Sequence, residues 1–198
     1  MRIFISGPSG VGKSTIIREI LEHNPDIFLS VSYTTRSPRP QEQDGREYFF
    51  IQPSDFDRMM KDGEFLECAR VHGNLYGTSL TWVRTQEQNG RNILFDIDVQ
   101  GVRQAKAKGS HGVFIFIVPP TIDELRKRLA KRGTEDDDNL RIRLNNAKEE
   151  LKSWAMYDYL VVNDDIRKAT RDALSIIDAY RCSRDEIIGR IPWLQKIA

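Results

Sequence analysis

The chain has 198 residues, of which 39% are hydrophobic and 30% are charged. This composition excludes a disordered protein and is typical of one charge-rich globular domain with appended segments. Thirty basic residues against 29 acidic ones give a formal charge of +1. Bulk charge therefore favours neither a nucleic acid nor an acidic membrane as a partner, and any anion site has to be local.

Targeting and redox features point to the cell interior. No apolar run approaches the roughly 20 residues that cross a bilayer, and the N-terminus shows no signal-peptide pattern. Cys68 and Cys182 lack a CxxC spacing and predict structural thiols in a reducing compartment. The three histidines are scattered and form no metal-like cluster. We therefore expect a cytoplasmic protein that binds neither a membrane nor a nucleic acid.

The first fifteen residues predict a strand, a glycine-rich loop and the start of a helix. Residues 3–5 are an apolar run typical of a buried strand, and apolar residues at helical spacing follow from Ser14 onward. Between them lies a G-x-x-x-x-G-K-[ST] phosphate loop without a mismatch. Its residues are Gly7, Pro8, Ser9, Gly10, Val11, Gly12, Lys13, Ser14 and Thr15.

The residue types of this loop suit a nucleoside triphosphate. Glycines let the backbone curl so that successive N–H groups face one anion, and the new helix adds its unpaired N–H groups and its dipole. Lys13 supplies a full charge for the outer phosphates, and the Ser14 hydroxyl is a suitable ligand for Mg²⁺. A chance glycine turn with a surface lysine would not bring the strand and the helix with it.

The next stretch carries a second candidate anion site. The first helix is expected to stop near Asn24, and residues 32–40 hold too many prolines and hydroxyls for a core element. Arg36 and Arg39, followed by Tyr48, offer guanidinium forks and a phenol to phosphate oxygens. A polar surface loop with solvated arginines would show the same residues, so it is the phosphate loop upstream that favours the anion site.

Residues 32–81 predict an insertion of short strands around one small helix. A strand is expected near residues 46–51, a helix starting at Pro53, and a strand over residues 64–71. Core elements then resume with a helix over residues 80–88.

A buried strand over residues 93–95 ends in acids. Asp96 and Asp98 follow it, and the carboxyl end of a parallel strand is where ligands bind in open α/β sheets. Asp96 suits the metal of a nucleotide site, as the acid on the strand that partners a phosphate loop. Acids that merely end a strand are the alternative.

The second half alternates helices and strands. A helix is expected over residues 99–106, and residues 113–118, the most apolar run, predict a central strand. Thr121 caps the helix that follows. That helix and the next, which begins with the acids of residues 135–138, are basic and joined by a glycine turn. They form either a mobile lid over transferred phosphate or ordinary solvated helix faces.

The chain closes with a short strand over residues 159–165, an amphipathic helix over residues 166–181 and a tail. The tail, from residue 183, is too apolar to lie free in water, so we expect it to pack on the body or on another subunit. A monomer and a homo-oligomer both remain open.

Seven motifs occur along the chain in one order. They are residues 7–15, 32–39, 44–48, 73–78, 96–101, 132–135 and 162–164. Together they resemble the guanylate kinase family, of the nucleoside-monophosphate kinase group, from about Ile3 to Tyr180. The phosphate loop alone indicates only nucleotide binding, whereas the joint occurrence of all seven is very specific.

The resemblance implies an α/β, three-layer P-loop kinase fold with a central parallel sheet flanked by helices, an inserted GMP-binding segment and a helical lid. Residues 1–31, 82–121 and 152–198 would form the core nucleotide-binding domain, residues 32–81 the GMP-binding insertion, and residues 122–151 the lid. The implied reaction is Mg²⁺-dependent transfer of a phosphoryl group from ATP to GMP, with dGMP also accepted.

The resemblance also implies roles for individual residues. The phosphate loop, Arg128 and Asn163 would bind ATP, with Asn163 near the adenine. Ser14 and Asp96 would hold Mg²⁺, and the catalytic cations around the transferred phosphoryl group would be Lys13, Arg39, Arg132 and Arg143. The GMP phosphate would be held by Arg36, Arg39, Tyr48 and Tyr76. The guanine would be read or flanked by Ser32, Glu67, Thr78 and Asp98.

Glu67 is chemically apt for guanine, which presents N1–H and N2–H₂ as adjacent donors to one carboxylate. Adenine lacks that pair.

Two other classes of protein fit parts of the chain. A guanylate-kinase-like protein-binding domain would have lost loop or lid residues that remain here, and a kinase for another monophosphate would lack the pairing of Ser32 with Glu67. We therefore expect an enzyme.

Overall fold

Strands and helices alternate along most of the chain. The computed structural model describes residues 1–71, 73–131, 137–191, 193 and 197. The strands are β1 (Arg2–Ser6), β2 (Ile27–Leu29), β3 (Ser32–Thr34), β4 (Tyr48–Phe50), β5 (Phe65–Val71), β6 (Asn74–Ser79), β7 (Asn92–Asp96), β8 (Val113–Val118) and β9 (Tyr159–Val162). The helices are α1 (Lys13–His23), α2 (Pro53–Lys61), α3 (Leu80–Gln88), α4 (Val99–Ala107), α5 (Ile122–Lys131), α6 (Asp137–Leu151), α7 (Ile166–Arg181) and α8 (Arg184–Arg190).

A five-stranded parallel sheet in the order β2-β7-β1-β8-β9 forms the middle layer. Alternate side chains of β1 pack on opposite faces, as the pleat requires. Ile3 and Ile5 belong to a buried cluster with α1 and α7, whereas Phe4 packs with residues of α3 and α4 on the other side. Phe4 stacks on Phe95 at 4.5 Å and on Phe114 at 4.4 Å between ring centroids. The predicted central parallel sheet flanked by helices is therefore confirmed.

The position of β1 decides where the phosphate loop emerges. The strand is the third of five, and the register places Ile5 beside Asp96 and Ser6 beside Phe116. Because the strands are parallel, their carboxyl ends meet at one edge, and the loop leaves β1 in the middle of that edge. The strand of residues 113–118 was predicted to be central. It is interior, between β1 and β9, but β1 holds the centre.

The segment between β2 and α3 folds as a separate four-stranded sheet in the order β4-β3-β6-β5. Strands β5 and β6 are antiparallel and pair Glu67 with Thr78. Helix α2 covers this sheet through Phe56, whose ring stacks on that of Phe65 at 4.4 Å. The short strands and single helix predicted for this stretch are confirmed.

Helices α5 and α6 pack together through Leu125, Leu129 and Ala147, all fully or almost fully buried. The predicted cap of α5 is confirmed, because the Glu124 backbone N–H donates to Thr121 Oγ1 at 3.1 Å. Helix α6 is described from Asp137; the two preceding acids of its predicted start, Glu135 and Asp136, lie outside the described residues. The division of the chain into core, insertion and lid stays a prediction.

The tail contains a helix that the hydrophobic pattern did not predict. Helix α8 begins after Ser183, whose Oγ accepts the Glu186 backbone N–H at 3.4 Å. Beyond it, Trp193 is 59% exposed and Ile197 is 74% exposed. These two residues of the tail are therefore not buried on the body, and packing of the tail on another subunit stays a prediction. Within the described ranges, no helix has the length and apolar character needed to span a membrane.

Candidate active site

The phosphate loop is shaped by glycines in a backbone conformation that other residues rarely adopt. Gly10 has a φ of 84° and Gly12 a φ of 97°, both in the left-handed region. Gly12 occupies the position before α1, and no side chain caps that end of the helix. The first N–H groups of α1 are thus available to an anion, to which the helix dipole adds attraction.

Close packing also excludes larger residues from this loop. A Cβ on Gly12 would lie 2.4 Å from Asn163 Nδ2, and one on Gly10 would lie 2.7 Å from Leu129 Cδ2. Asn163 is buried and its Nδ2 donates to the Val11 carbonyl at 2.7 Å. The end of β9 and helix α5 therefore hold the loop from two sides.

Lys13 forms an ion pair with Asp96, and its Nζ lies 3.5 Å from the Ile97 carbonyl oxygen. Ser14 is exposed on the first turn of α1 and lines a shallow concavity together with Asp96. The described residues include no cluster of three or more His, Cys, Asp or Glu side chains suited to a metal. A hydroxyl and one carboxylate fit Mg²⁺, which commonly takes one or two protein oxygens and completes its shell with water and substrate phosphates.

A groove of 490 Å³ runs from the phosphate loop along the start of α7. Among its lining residues are Gly12, Arg128, Asn163 and Asp164. The Arg128 guanidinium is held by Glu124 at 3.0 Å and donates to the Val11 carbonyl at 3.4 Å. The structure thus brings Arg128 and Asn163, both predicted to bind ATP, together beside the loop.

A second cavity, of 360 Å³, opens between the two sheets and is called the acceptor cleft below. Five of the eight residues predicted to bind GMP line it, namely Ser32, Tyr48, Glu67, Tyr76 and Asp98. Asp98 also lines a smaller cavity of 290 Å³, called the phosphate-loop cavity below, with Lys13 and most of the phosphate loop. The acceptor cleft and the phosphate-loop cavity therefore meet at Asp98.

Glu67 is a buried carboxylate on the wall of the acceptor cleft, with 5% of its surface exposed. It accepts a hydrogen bond from Thr78 Oγ1 at 2.7 Å, and that hydroxyl lies 3.3 Å from Ser32 Oγ. Burial raises the pKa of Glu67 to about 7; the Thr78 hydrogen bond opposes this rise and the charge of Asp98 adds to it. Thr78 itself is fully buried behind Glu67.

Tyr48 and Tyr76 line the acceptor cleft, and Arg36, which does not itself line the cleft, contacts both tyrosines. Arg36 Nε donates to the Tyr76 hydroxyl at 3.2 Å, and the guanidinium lies 5.5 Å from the centre of the Tyr48 ring. Glu42 pairs with Arg36 at 2.9 Å and also accepts the Arg39 backbone N–H at 2.8 Å. Arg39 is exposed on the loop after Arg36 and does not line the cleft.

The arginines predicted for the lid are only partly located. Arg143 is half-buried on α6, on the same face as Ala147. Arg132 lies outside the described residues.

Comparison with known proteins identifies the family. A family model described as guanylate kinase matches residues 1–180. A curated guanylate kinase of Aromatoleum aromaticum is 45% identical over 90% of this chain and 88% of its own length. One of Thermotoga maritima is 46% identical over 89% and 86%. The chain belongs to the guanylate kinase family.

A solved guanylate kinase agrees with the family match. The crystal structure of guanylate kinase from Anaplasma phagocytophilum is 31% identical to this chain and aligns with a TM-score of 0.72. The alignment covers 97% of this chain and 95% of that one. The P-loop kinase fold expected from the family motifs is thereby confirmed.

Two features of α4 support the acceptor cleft and were not predicted. The Gln104 side chain both accepts the Cys68 backbone N–H at 3.0 Å and donates to the Cys68 carbonyl at 2.7 Å. A Cβ on Gly101 would lie 3.0 Å from Glu67 Oε2. Asp98, Gly101 and Gln104 are spaced by three residues and share one helix face. That spacing is visible in the sequence, but the sequence does not show that β5 lies against this face of α4.

Glu150 is a further residue of the site that was not predicted from the sequence. Its Oε2 accepts the Ser9 backbone N–H at 3.3 Å, and it lines the phosphate-loop cavity. Burial raises the pKa of its carboxyl group. Its sequence neighbours read as an ordinary charged helix face, which is why the pattern did not single it out.

The raised pKa of Glu67 predicts a pH-dependent effect of Glu67→Gln on stability. The pKa rises from 4.5 to about 7 on folding, so the folded protein loses stability as pH rises from about 4.5 to about 7. Glutamine does not ionise. At pH 8 the variant should therefore be more stable than wild type by about 1–3 kcal/mol in urea unfolding without nucleotide, and at pH 5 the difference should be much smaller. The exposed Glu22→Gln on α1 is the control, and an equal difference at both pH values would contradict the assignment.

Proposed function

We propose that the protein is a guanylate kinase that transfers the terminal phosphoryl group of ATP to GMP, giving ADP and GDP, and that dGMP is accepted as well. Family membership supports the reaction type. The observation that supports guanine as the base is the buried Glu67 carboxylate on the wall of a cleft that adjoins the phosphate loop.

Guanine selectivity would rest on Glu67. One carboxylate accepts from N1–H and N2–H₂ of guanine together, and adenine offers no such pair. Because the Thr78 hydroxyl already donates to Oε1, the carboxylate is oriented before the base arrives. Its partial protonation near neutral pH also means that GMP would favour the ionised form. Ser32 and Asp98 flank the base from the same cleft.

The GMP phosphate would be held by Arg36, Tyr48, Tyr76 and Arg39. Arg36 and the Tyr76 hydroxyl already share a hydrogen bond, so a phosphate oxygen bridging them meets a preformed pair of donors. Arg39 is exposed, which leaves its guanidinium able to turn toward either phosphate.

The ATP phosphates would bind the phosphate loop, where the uncapped N–H groups of α1 and Lys13 face the anion. The adenine would occupy the groove beside Arg128 and Asn163. When bound, Mg²⁺ would be held by Ser14 and Asp96 and would neutralise charge on the donor phosphates. Lys13 already contacts Asp96, so both charges lie where the donor phosphates would enter.

Phosphoryl transfer needs little covalent help from the protein. An oxygen of the GMP phosphate forms a bond to the terminal phosphorus of ATP while the bond to the bridging oxygen of ADP breaks. That nucleophile is largely ionised near neutral pH, so a strong general base is unnecessary. Lys13 and Arg39, with Arg132 and Arg143 from the lid, would stabilise charge on the transferred group. Closure of the insertion and the lid would exclude water and suppress ATP hydrolysis.

A guanylate-kinase-like protein-binding domain is the alternative, and it is disfavoured by Lys13, Ser14 and Arg143, all of which are kept in this chain. A cytoplasmic location and the lack of nucleic-acid and membrane partners stay predictions, as does a role of the tail in oligomerisation.

A coupled ADP-release assay tests the proposal with GMP, AMP, UMP and CMP as acceptors at fixed MgATP. We expect kcat/KM for GMP to exceed that for AMP by at least about 100-fold, because AMP leaves the buried carboxylate without its donors. Removal of Mg²⁺ with EDTA should stop turnover. Equal rates with AMP and GMP would reject the guanine assignment, and no turnover with any acceptor would favour the protein-binding domain.

Lys13→Ala and Arg39→Ala should each lower turnover by at least about 100-fold, since each removes a full charge from the transferred phosphoryl group. Lys168→Ala and Arg58→Ala serve as matched controls, because both side chains are exposed and paired with acids of their own helices. Turnover near that of wild type in either test variant would remove that residue from the mechanism.

Gln104→Ala should raise the KM for GMP by about tenfold while leaving the KM for ATP and kcat nearly unchanged. The change removes both hydrogen bonds that fix Cys68, and with it the backbone beside Glu67. Steady-state kinetics with each substrate varied in turn gives the measurement, with exposed Gln88→Ala as control. A parallel rise in both KM values would indicate general destabilisation and contradict a role confined to the acceptor cleft.

A further inference from the structure

A carboxylate stands where the phosphate loop would receive an anion. Glu150 is the last acid of α6, and its Oε2 accepts the Ser9 backbone N–H at 3.3 Å. With Lys13, Ser14 and Asp98 it lines the phosphate-loop cavity. A backbone N–H of such a loop is a donor suited to phosphate oxygen. The carboxylate oxygen thus makes, within the protein, the contact that a nucleotide phosphate would make.

The helix that carries Glu150 also carries Arg143. Arg143, Ala147 and Glu150 follow one another at spacings of four and three residues, so they share one face of α6. Ala147 is fully buried against Leu125 and Leu129 of α5, and Leu129 in turn packs on Gly10. Arg143 and Glu150 lie about 10 Å apart along the helix axis, at 1.5 Å per residue. Because the three residues belong to one helix, a movement of α6 at Glu150 also moves Arg143.

A donor phosphate and the Glu150 carboxylate cannot both occupy this position. They carry charges of the same sign, and the single proton of the Ser9 N–H serves one oxygen at a time. Glu150 is half-buried, so water screens the repulsion less than it would on an open surface. A triphosphate entering the cavity has to displace the carboxylate.

We propose that Glu150 is a positioning residue that fastens α6 to the phosphate loop in the nucleotide-free protein, and that the donor phosphates release it and so move the helix that carries Arg143. This rests on the proposed function only in that ATP is the donor bound by the loop. It adds a link between donor binding and the placement of a lid arginine.

Equilibrium binding of ATP and of ADP without GMP tests the proposal by titration calorimetry. Glu150→Gln keeps the shape and an acceptor oxygen but removes the charge, and Glu150→Ala removes the contact as well. Both should bind ATP more tightly, by about tenfold, with a smaller gain for ADP, which carries less charge. Glu149→Gln is the matched control, because Glu149 is the exposed neighbour on α6 and pairs with Lys152.

Hydrogen exchange of α6 gives a readout that a merely structural role would not produce. In wild type, ATP should raise the exchange of amides near Glu150, and in Glu150→Ala exchange should already be raised without nucleotide and change little on adding ATP. Unchanged or weaker ATP binding by Glu150→Gln would overturn the proposal, even if that protein folds normally. If wild type does not bind ATP at all, the proposed function fails together with it.

Discussion

The parallel pairing of β7, β1 and β8 is the constraint on which the site depends. Because all five strands are parallel, the phosphate loop after β1, the acids at the end of β7 and Asn163 after β9 lie at one edge of the sheet. Asn163 then donates to Val11 across 152 positions of sequence and leaves no room for a side chain on Gly12. The conformation of the phosphate loop thus depends on the order of the strands in the sheet as well as on the loop's own glycines.

Three of the described cations proposed to meet a phosphate have an acidic partner in the structure. Lys13 pairs with Asp96, Arg36 with Glu42 and Arg128 with Glu124. Such partly exposed pairs contribute little to stability, on the order of 1 kcal/mol or less each. Their effect is to orient the cations, so that an arriving phosphate replaces or shares one acceptor rather than meeting a disordered side chain.

An element or contact of this protein can be predicted from the sequence when the residues that determine it are neighbours in the chain. Residues 113–118 and 166–181 carry their pattern within themselves, and both elements were predicted with correct bounds. The short helix α8 was not predicted, although Ser183 and Glu186 form a capping pattern at its start. The apolar residues around it were interpreted only as a surface that packs on other residues. Gln104 and Glu150 were missed for another reason. Both are polar residues on helix surfaces, and only the tertiary fold shows that Cys68 and Ser9 lie opposite them.

Glu67 shows how recognition and stability oppose each other in one side chain. The family motif located it, but the fully buried Thr78 behind it and the close approach of Gly101 are consequences of the pairing of β5 with β6 and the packing of β5 against α4. That packing desolvates the carboxylate and raises its pKa to about 7, so burial destabilises the ionised form. A base with two adjacent N–H donors would return the hydrogen bonds that burial removed. A base without these donors leaves the buried Glu67 carboxylate without hydrogen bonds from the base. The burial that lowers the stability of the free protein is therefore also the reason why the cleft would select guanine over other bases.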